Sequence, residues 1–282
     1  MSKPRKIMPF SSQTFLMVII LTICLGCQRN SAVPSDRGST VDRPRGGMIS
    51  KTEDSSLQDI VCRRIPRNLI LSGKMDDPLW QQAEPQVLMD AVSGTKENFT
   101  TEVRVLYSGE YLYVGFYCED DHVWGTLRDR DDPVYREECV EVFVCPSGKT
   151  HQYYEINISP KNVLFDACIL NGRTADNPRN KFQGFHDFNL QDIQTRAHVE
   201  GILDVPGEAG SWKAEYAIPL EGLWGAPHIP PEHGDVWRVN FYRIDSPDRV
   251  RVDYYSWSTV HEANFHQPWK FGRIRFLIEE DP

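Results

Sequence analysis

Three observations predict an all-β fold, an antiparallel β-sandwich with one or two short helices. From about residue 61 the apolar residues repeat with a period of two, the spacing of a strand with one buried face. The apolar runs are short and punctuated by Gly, Pro, Asn, Asp and Ser, as in sandwiches and barrels. Helical patterning is scarce, which leaves sheet packing on sheet.

The elements follow in order along the chain. Asp77 as N-cap with Pro78 in the first turn predicts a short helix through Leu79-Trp80-Gln81-Gln82-Ala83, because Asp accepts from orphan amides and Pro needs no donor there. The runs 102–107 and 111–118 flank Ser108-Gly109-Glu110 and read as a hairpin. Further strands are predicted over 139–145, 153–159, 163–169, 212–218, 236–244, 254–258 and 271–276, with a possible turn of helix over 219–224. Length and spacing alone are also compatible with a barrel.

The first 26 residues read as a signal peptide. Lys3, Arg5 and Lys6 precede the apolar run 15–25, which is too short to span a bilayer about 30 Å thick but suits the apolar region of an export signal. The run ends Leu25-Gly26-Cys27, which resembles a bacterial lipobox with Cys27 as the lipidated residue, although Cys24 stands where Leu is usual. Cleavage there removes three basic residues and no acidic ones, taking the formal charge from -9 to -12. Residues 27–60, rich in Ser, Arg, Asp, Gly and Pro, are predicted to be a flexible tether, since they hold too little apolar surface to offset chain entropy. Such a tether would hold a domain roughly 30 Å from a membrane. Residues 61–279 then form one domain. These readings place the protein in the cell envelope, periplasmic or on the outer membrane, touching membrane only through the anchor.

Composition excludes some functions. With 31 Lys+Arg against 40 Asp+Glu, the chain lacks the basic surface of a nucleic-acid binder. Cys62, Cys118, Cys139, Cys145 and Cys168 remain after processing, an odd number without a CxxC pair, so a zinc ribbon or thioredoxin site is excluded. Cys118, Cys139 and Cys145 lie in strand-like runs and are expected to be buried thiols. No Gly-x-Ser-x-Gly elbow, HExxH helix or P-loop is present, and the histidines are scattered with no ligand-spaced helical pair, which argues against an enzyme. Aromatic residues reach 11%, a surplus that must serve either core or binding face. Trp80, Trp212, Trp237 and Trp269 read as packing residues.

Several motifs carry a family resemblance. They are Leu71-Ser-Gly-Lys-Met-Asp-Asp-Pro-Leu-Trp80, Thr101-Glu-Val-Arg-Val-Leu-Tyr107, Tyr111-Leu-Tyr-Val-Gly-Phe116 and Glu138-Cys-Val-Glu-Val-Phe143. Trp212-Lys-Ala-Glu-Tyr-Ala-Ile-Pro219, Gly234-Asp-Val-Trp-Arg-Val-Asn-Phe-Tyr-Arg243, Ser256-Trp257 and Phe271-Gly-Arg-Ile-Arg-Phe276 follow. In order and spacing they resemble carbohydrate-binding module family 9, within the DOMON-like β-sandwiches. The resemblance implies noncatalytic binding of a poly- or oligosaccharide, often beside polysaccharide-degrading domains. It also implies that two aromatic rings sandwich a sugar while polar groups bond its hydroxyls. Trp257 falls where one ring sits, and Tyr135 falls where the other does, a position that is Trp in the best-understood members. Glu141 matches a hydroxyl-binding carboxylate, Asn157 lies in a strand that adds polar contacts, and Asp120 lands near another polar position.

The residues agree in part without the family. A flat ring covers the apolar face of a sugar and a carboxylate reads its hydroxyls. Alternation puts Glu141 on one face with Cys139, Phe143 and Cys145, where a carboxylate needs partners or water. Trp124, in a loop beside the expected site, is a further candidate. Arg243 shares a strand face with Phe241 and Trp237 and is either a ligand donor or a core-edge ion pair. No cofactor is expected. Calcium is compatible with the resemblance, yet no DxDxDG loop is present. Two other function classes remain: a haem-binding DOMON-like electron-transfer domain, with Met89 as the one plausible ligand, and a cell-surface scaffold for protein contacts.

Overall fold

The computed structural model describes residues 57–96 and 98–278. The expected signal peptide, Cys27 and most of the tether lie outside the described residues. Fourteen strands follow one another: β1 (Asp59–Arg64), β2 (Gln86–Val87), β3 (Met89–Asp90), β4 (Thr101–Tyr107), β5 (Tyr111–Glu119), β6 (Cys139–Cys145) and β7 (Gln152–Ile158). Then come β8 (Leu164–Asn171), β9 (Phe182–Phe185), β10 (Gln194–Gly201), β11 (Ala209–Pro219), β12 (Val236–Asp245), β13 (Asp253–Ser256) and β14 (Gly272–Leu277). The helical pieces among the described residues are single 3-10 turns at Pro78–Gln82, Val134–Arg136, Leu220–Gly222 and Pro268–Lys270. The first is capped as predicted, with the Asp77 carboxylate accepting from the Leu79 amide.

The strands form one hydrogen-bonded path in the order β10-β11-β5-β4-β1-β14-β12-β6-β7-β8-β9, with β2 added to β4, β13 to β12 and β3 to β13. The path curls so that its two halves face each other, giving the expected sandwich. The Tyr216 hydroxyl of β11 donates to the Val140 carbonyl of β6 at 2.7 Å, and Phe116 of β5 meets Phe241 of β12 edge-on at 6.2 Å. Val105, Val114, Trp212, Val142, Ile156, Trp237 and Trp257 fill the layer between the halves. Period-two strands explain this layer, because each sends alternate side chains into it.

One feature departs from a wholly antiparallel plan. β1 runs parallel to both its neighbours, β14 and β4, and it begins at Asp59, two residues inside the segment assigned to the tether. Cys62 is buried there, as are Cys118, Cys139 and Cys145, and all are free thiols.

Both outer faces are also covered. On the β5–β11 half, Trp80 packs on the sheet and donates from Nε1 to Glu215 at 2.8 Å. Gly115 makes this approach possible, since a Cβ there would stand 3.0 Å from the Trp80 ring. On the β6–β12 half, the loop segment carrying Val260, Phe265 and Phe271 and the turn carrying Val134 pack over Phe143, Tyr153, Phe165 and Tyr242. That second cover is incomplete, and the gap is the cleft described next.

Candidate functional site

The register of the β6–β7–β8 sheet decides which side chains reach the outer face. Glu141 pairs with Asn157 and Phe143 with Glu155, while Asn157 pairs with Phe165 and Glu155 with Ala167. Directly opposed residues share a face, so Glu141, Phe143, Glu155, Asn157 and Phe165 all point outward from the sandwich. Beyond them, Ile169 faces Gly184 of β9, and β9 brings Phe182 to the rim.

Glu141, Phe143, Glu155, Phe165, Ile169 and Phe182 floor and wall a cleft of about 320 Å3, within the size range of small-ligand sites (roughly 300–1,000 Å3). Glu141 and Glu155 lie on its floor, and Tyr135, Phe143, Phe165, Phe182 and Phe265 supply rings. His186, Asn264 and His266 are the remaining polar lining residues. Tyr135 is fixed by an edge contact with Phe165 at 5.2 Å, and His266 stacks on Phe182 at 4.8 Å.

The electrostatics of the floor are unusual. Glu141 accepts only a weak thiol hydrogen bond, from Cys139 at 3.4 Å. Glu155 accepts from the Asn157 amide at 2.9 Å and lies 3.9 Å from His266 Nε2. Burial, reinforced by the neighbouring Glu155 charge, pushes Glu141 well above the ordinary carboxylate range. Burial raises Glu155 to about 7. His266 lies 2.8 Å from the Tyr153 hydroxyl and is lowered to about 4 by burial and then by Arg173 and His186, so the imidazole is neutral at pH 7 and supplies no charge to the floor. Among the described residues, no Lys or Arg lines the cleft.

A larger hollow of about 570 Å3 lies elsewhere, beside Arg67, Asn68 and Glu110. It has no aromatic lining, and Arg67 is engaged by Asp77 at 2.7 Å while Asn68 donates to Glu110 at 3.0 Å. The cleft, not this hollow, carries the chemistry of a binding site.

The structure brings together only some of the sequence candidates. Tyr135 and Glu141 line the cleft. Asn157 shares their face but is wholly covered, holding Glu155 in place and not facing the opening. Trp257 belongs to the opposite face: its amide donates to the Phe241 carbonyl, and its ring packs on Phe241 at 5.6 Å inside the sandwich. It cannot stack a ligand held by Tyr135. Met89 sits in β3 opposite Ser256 and does not line the cleft.

Asp120, Arg243 and Trp124 form a separate, buried assembly at the end of the interlayer core. Arg243 Nη2 meets Asp120 at 2.7 Å and Asp245 at 3.1 Å, while Nη1 donates to the Glu119 carbonyl at 2.8 Å and Thr101 at 3.0 Å. Glu138 joins them by accepting from the Trp124 amide at 3.1 Å, and Trp124 Nε1 donates to the Ser246 carbonyl at 2.7 Å. Arg243 is thus the ion-pair alternative, and Trp124 is a structural residue.

Asp120, Glu138 and Asp245 are the described residues that could hold a metal ion, their carboxylate oxygens lying within 4.8 Å of one another. Glu138 Oε1 and Asp245 Oδ1 have no hydrogen-bond partner, but Arg243 already neutralises part of the charge. A proton on Glu138 satisfies the rest: burial, then the Asp120 and Asp245 charges, push this carboxyl up to about 10. A native pKa above the unfolded value means the folded state holds the extra proton between about 4.5 and 10, so stability falls as pH rises through that window. Glu138→Gln is expected to flatten this slope when urea midpoints are compared at pH 6 and 9; an unchanged slope would place the proton elsewhere.

Sequence reasoning missed Glu155, Phe182, Asn264 and His266. Glu155 was legible, because it stands two residues before Asn157 and so on the same strand face. Phe182 and the 263–266 loop carry no periodic signal.

Comparison with known proteins follows this geometry. The family model described as carbohydrate family 9 binding domain-like matches residues 71–278. None of the curated proteins matches the sequence. Among solved structures, a provisionally assigned carbohydrate-binding protein of Bacteroides uniformis ATCC 8492 superposes with a TM-score of 0.61 at 18% identity, covering 78% of this chain and 99% of its own. A carbohydrate binding module family 9 protein from Caldicellulosiruptor kristjanssonii, in complex with glucose, gives 0.56 at 14% identity and covers 80% and 98%. A structure of such a module from the same organism with cellotriose gives 0.55 at 13%, covering 79% and 96%. At these identities the structural likeness establishes the fold.

Proposed function

The chain belongs to the carbohydrate family 9 binding domain-like family, and from that premise we propose that the outer-face cleft binds a poly- or oligosaccharide without cleaving it. The observation that carries this reading is the meeting of aromatic walls with two carboxylates in one open cleft. Rings such as Tyr135 cover the C–H face of a sugar, and Glu141 and Glu155 accept from its hydroxyls. Both carboxylates rise from one floor as diagonal neighbours on adjacent strands, so they do not flank a glycosidic bond from two sides as hydrolysis requires. The solved family 9 modules with glucose and cellotriose support the ligand class.

The sequence supports an exported module, lipid-anchored at Cys27 and acting in polysaccharide breakdown or uptake. Membrane fractionation of Cys27→Ala tests the anchor; a variant that stays with the membrane fraction contradicts it.

Calorimetry with glucose, cellotriose and a wider oligosaccharide panel tests the site. Tyr135→Ala and Glu141→Gln are each expected to weaken binding by about tenfold or more, the loss of one ring contact or one carboxyl hydrogen bond. Melting temperatures should remain near that of the parent. Unaltered affinity in both variants would move the site away from this cleft.

A further inference from the structure

Resting on the sugar reading above, we propose that the cleft is built for a cationic ligand, an amino sugar whose ammonium group sits over Glu141 and Glu155. The argument begins with charge. Two carboxylates, 2% and 6% exposed, share one floor, and no Lys or Arg lines the cleft beside them. Taking a carboxylate out of water is costly unless a counter-charge or proton meets it. The Arg173 guanidinium stands over the Phe182 ring at 3.9 Å and does not line the cleft. His266 is held neutral by its buried position.

The walls suit the same ligand. Tyr135 and Phe265 present ring surfaces, and aromatic faces attract ammonium groups as well as C–H groups. A neutral sugar satisfies the rings and offers hydroxyls, but leaves protons as the only answer to the buried carboxyls. An amino sugar satisfies the rings and lets an ammonium take the place of a proton on the floor, turning ordinary hydrogen bonds into charge-assisted ones that are roughly twice as strong. The cleft therefore discriminates by charge as well as by shape.

Matched trisaccharides test this on the full-length protein. Cellotriose, the β-1,4-linked glucosamine trimer and its N-acetylated form share one backbone and differ in charge. Titrated below the amine pKa and at physiological salt, the glucosamine trimer is expected to bind about tenfold tighter than cellotriose, and N-acetylation should remove the gain. Glu155→Gln should bring the two ligands to within about threefold of each other. Because that variant removes one acidic residue among forty, it leaves the general attraction of an acidic protein for a cation intact. Cellotriose binding as tightly as the glucosamine trimer overturns the charge proposal while leaving the sugar reading in place. Failure of all three to bind the folded protein overturns both. A preference that survives Glu155→Gln and Glu141→Gln together places the cation outside the cleft and also overturns it.

Discussion

Trp257→Ala is expected to lower the stability of the domain by about 3–5 kcal/mol, the cost of deleting a fully packed large aromatic side chain. The ring is 3% exposed and stands so close to Gly272 that no Cβ could be added there without displacing it. Its neighbours, Phe241 among them, come from strands that the cavity would leave unsupported. Urea denaturation should show the midpoint shift, and calorimetry on the fraction that remains folded should show sugar affinity within about twofold of the parent. A Trp257→Ala protein of unchanged stability that no longer binds sugar would reverse this assignment and restore Trp257 to the binding face. Trp257→Phe, which keeps a ring in the core, should lose less stability than the alanine variant.

Arg243→Met is expected to cost a further class of stability, about 3–5 kcal/mol, by a different route. The guanidinium is fully buried and is the cation that meets Asp120 and Asp245 directly. Methionine fills part of the volume but leaves those carboxylates without a counter-charge. Adding Asp120→Asn and Asp245→Asn to Arg243→Met should recover a measurable part of the loss, since residues in one network are not additive. Arg243→Lys should fall in between: it retains charge, but a single ammonium cannot hold Asp120, Asp245, Thr101 and the Glu119 carbonyl at once. Chemical denaturation of the four proteins checks the order, and an Arg243→Met variant as stable as the parent would show that the assembly contributes nothing to the fold.

The strands that were legible in the sequence are those whose local pattern and final environment agree. The hairpin of β4 and β5 and the strand β6 carry dense apolar runs, and their observed limits lie close to the predicted ones. β1, β9 and β10 went unread for separate reasons. Asp59 and Arg63-Arg64 bracket only three apolar residues, and β1 is a strand because β14 and β4 flank it. β9 is four residues long, and β10 is largely exposed on an edge. At the cleft, alternation placed Glu141 correctly because the register around it is regular. Trp257 shows the limit of that logic. Ser256 pairs with Tyr242 on the cleft side, and one residue further along the chain the side chain enters the opposite layer. A strand reverses its facing at every step, so a motif match that locates a residue to within one position does not say which face it serves. Arg243 illustrates the converse: alternation put it with Phe241 and Trp237, and only the arrival of Asp120 from the other half of the sheet decided between donor and ion pair.

β1 has a mechanical consequence. Five residues of this strand register with β14 and two with β4, all in parallel, and Arg273 clamps Asp59 at 2.7 Å. Tension that enters β1 along its own axis acts parallel to both neighbouring strands. It loads these hydrogen bonds together, in shear, and does not peel them apart one at a time. The domain is therefore gripped by its centre: β1 lies between the two halves of the sandwich, and force entering there is shared by both. If the module is anchored through its N-terminal segment, as proposed above, that placement gives it resistance to rupture.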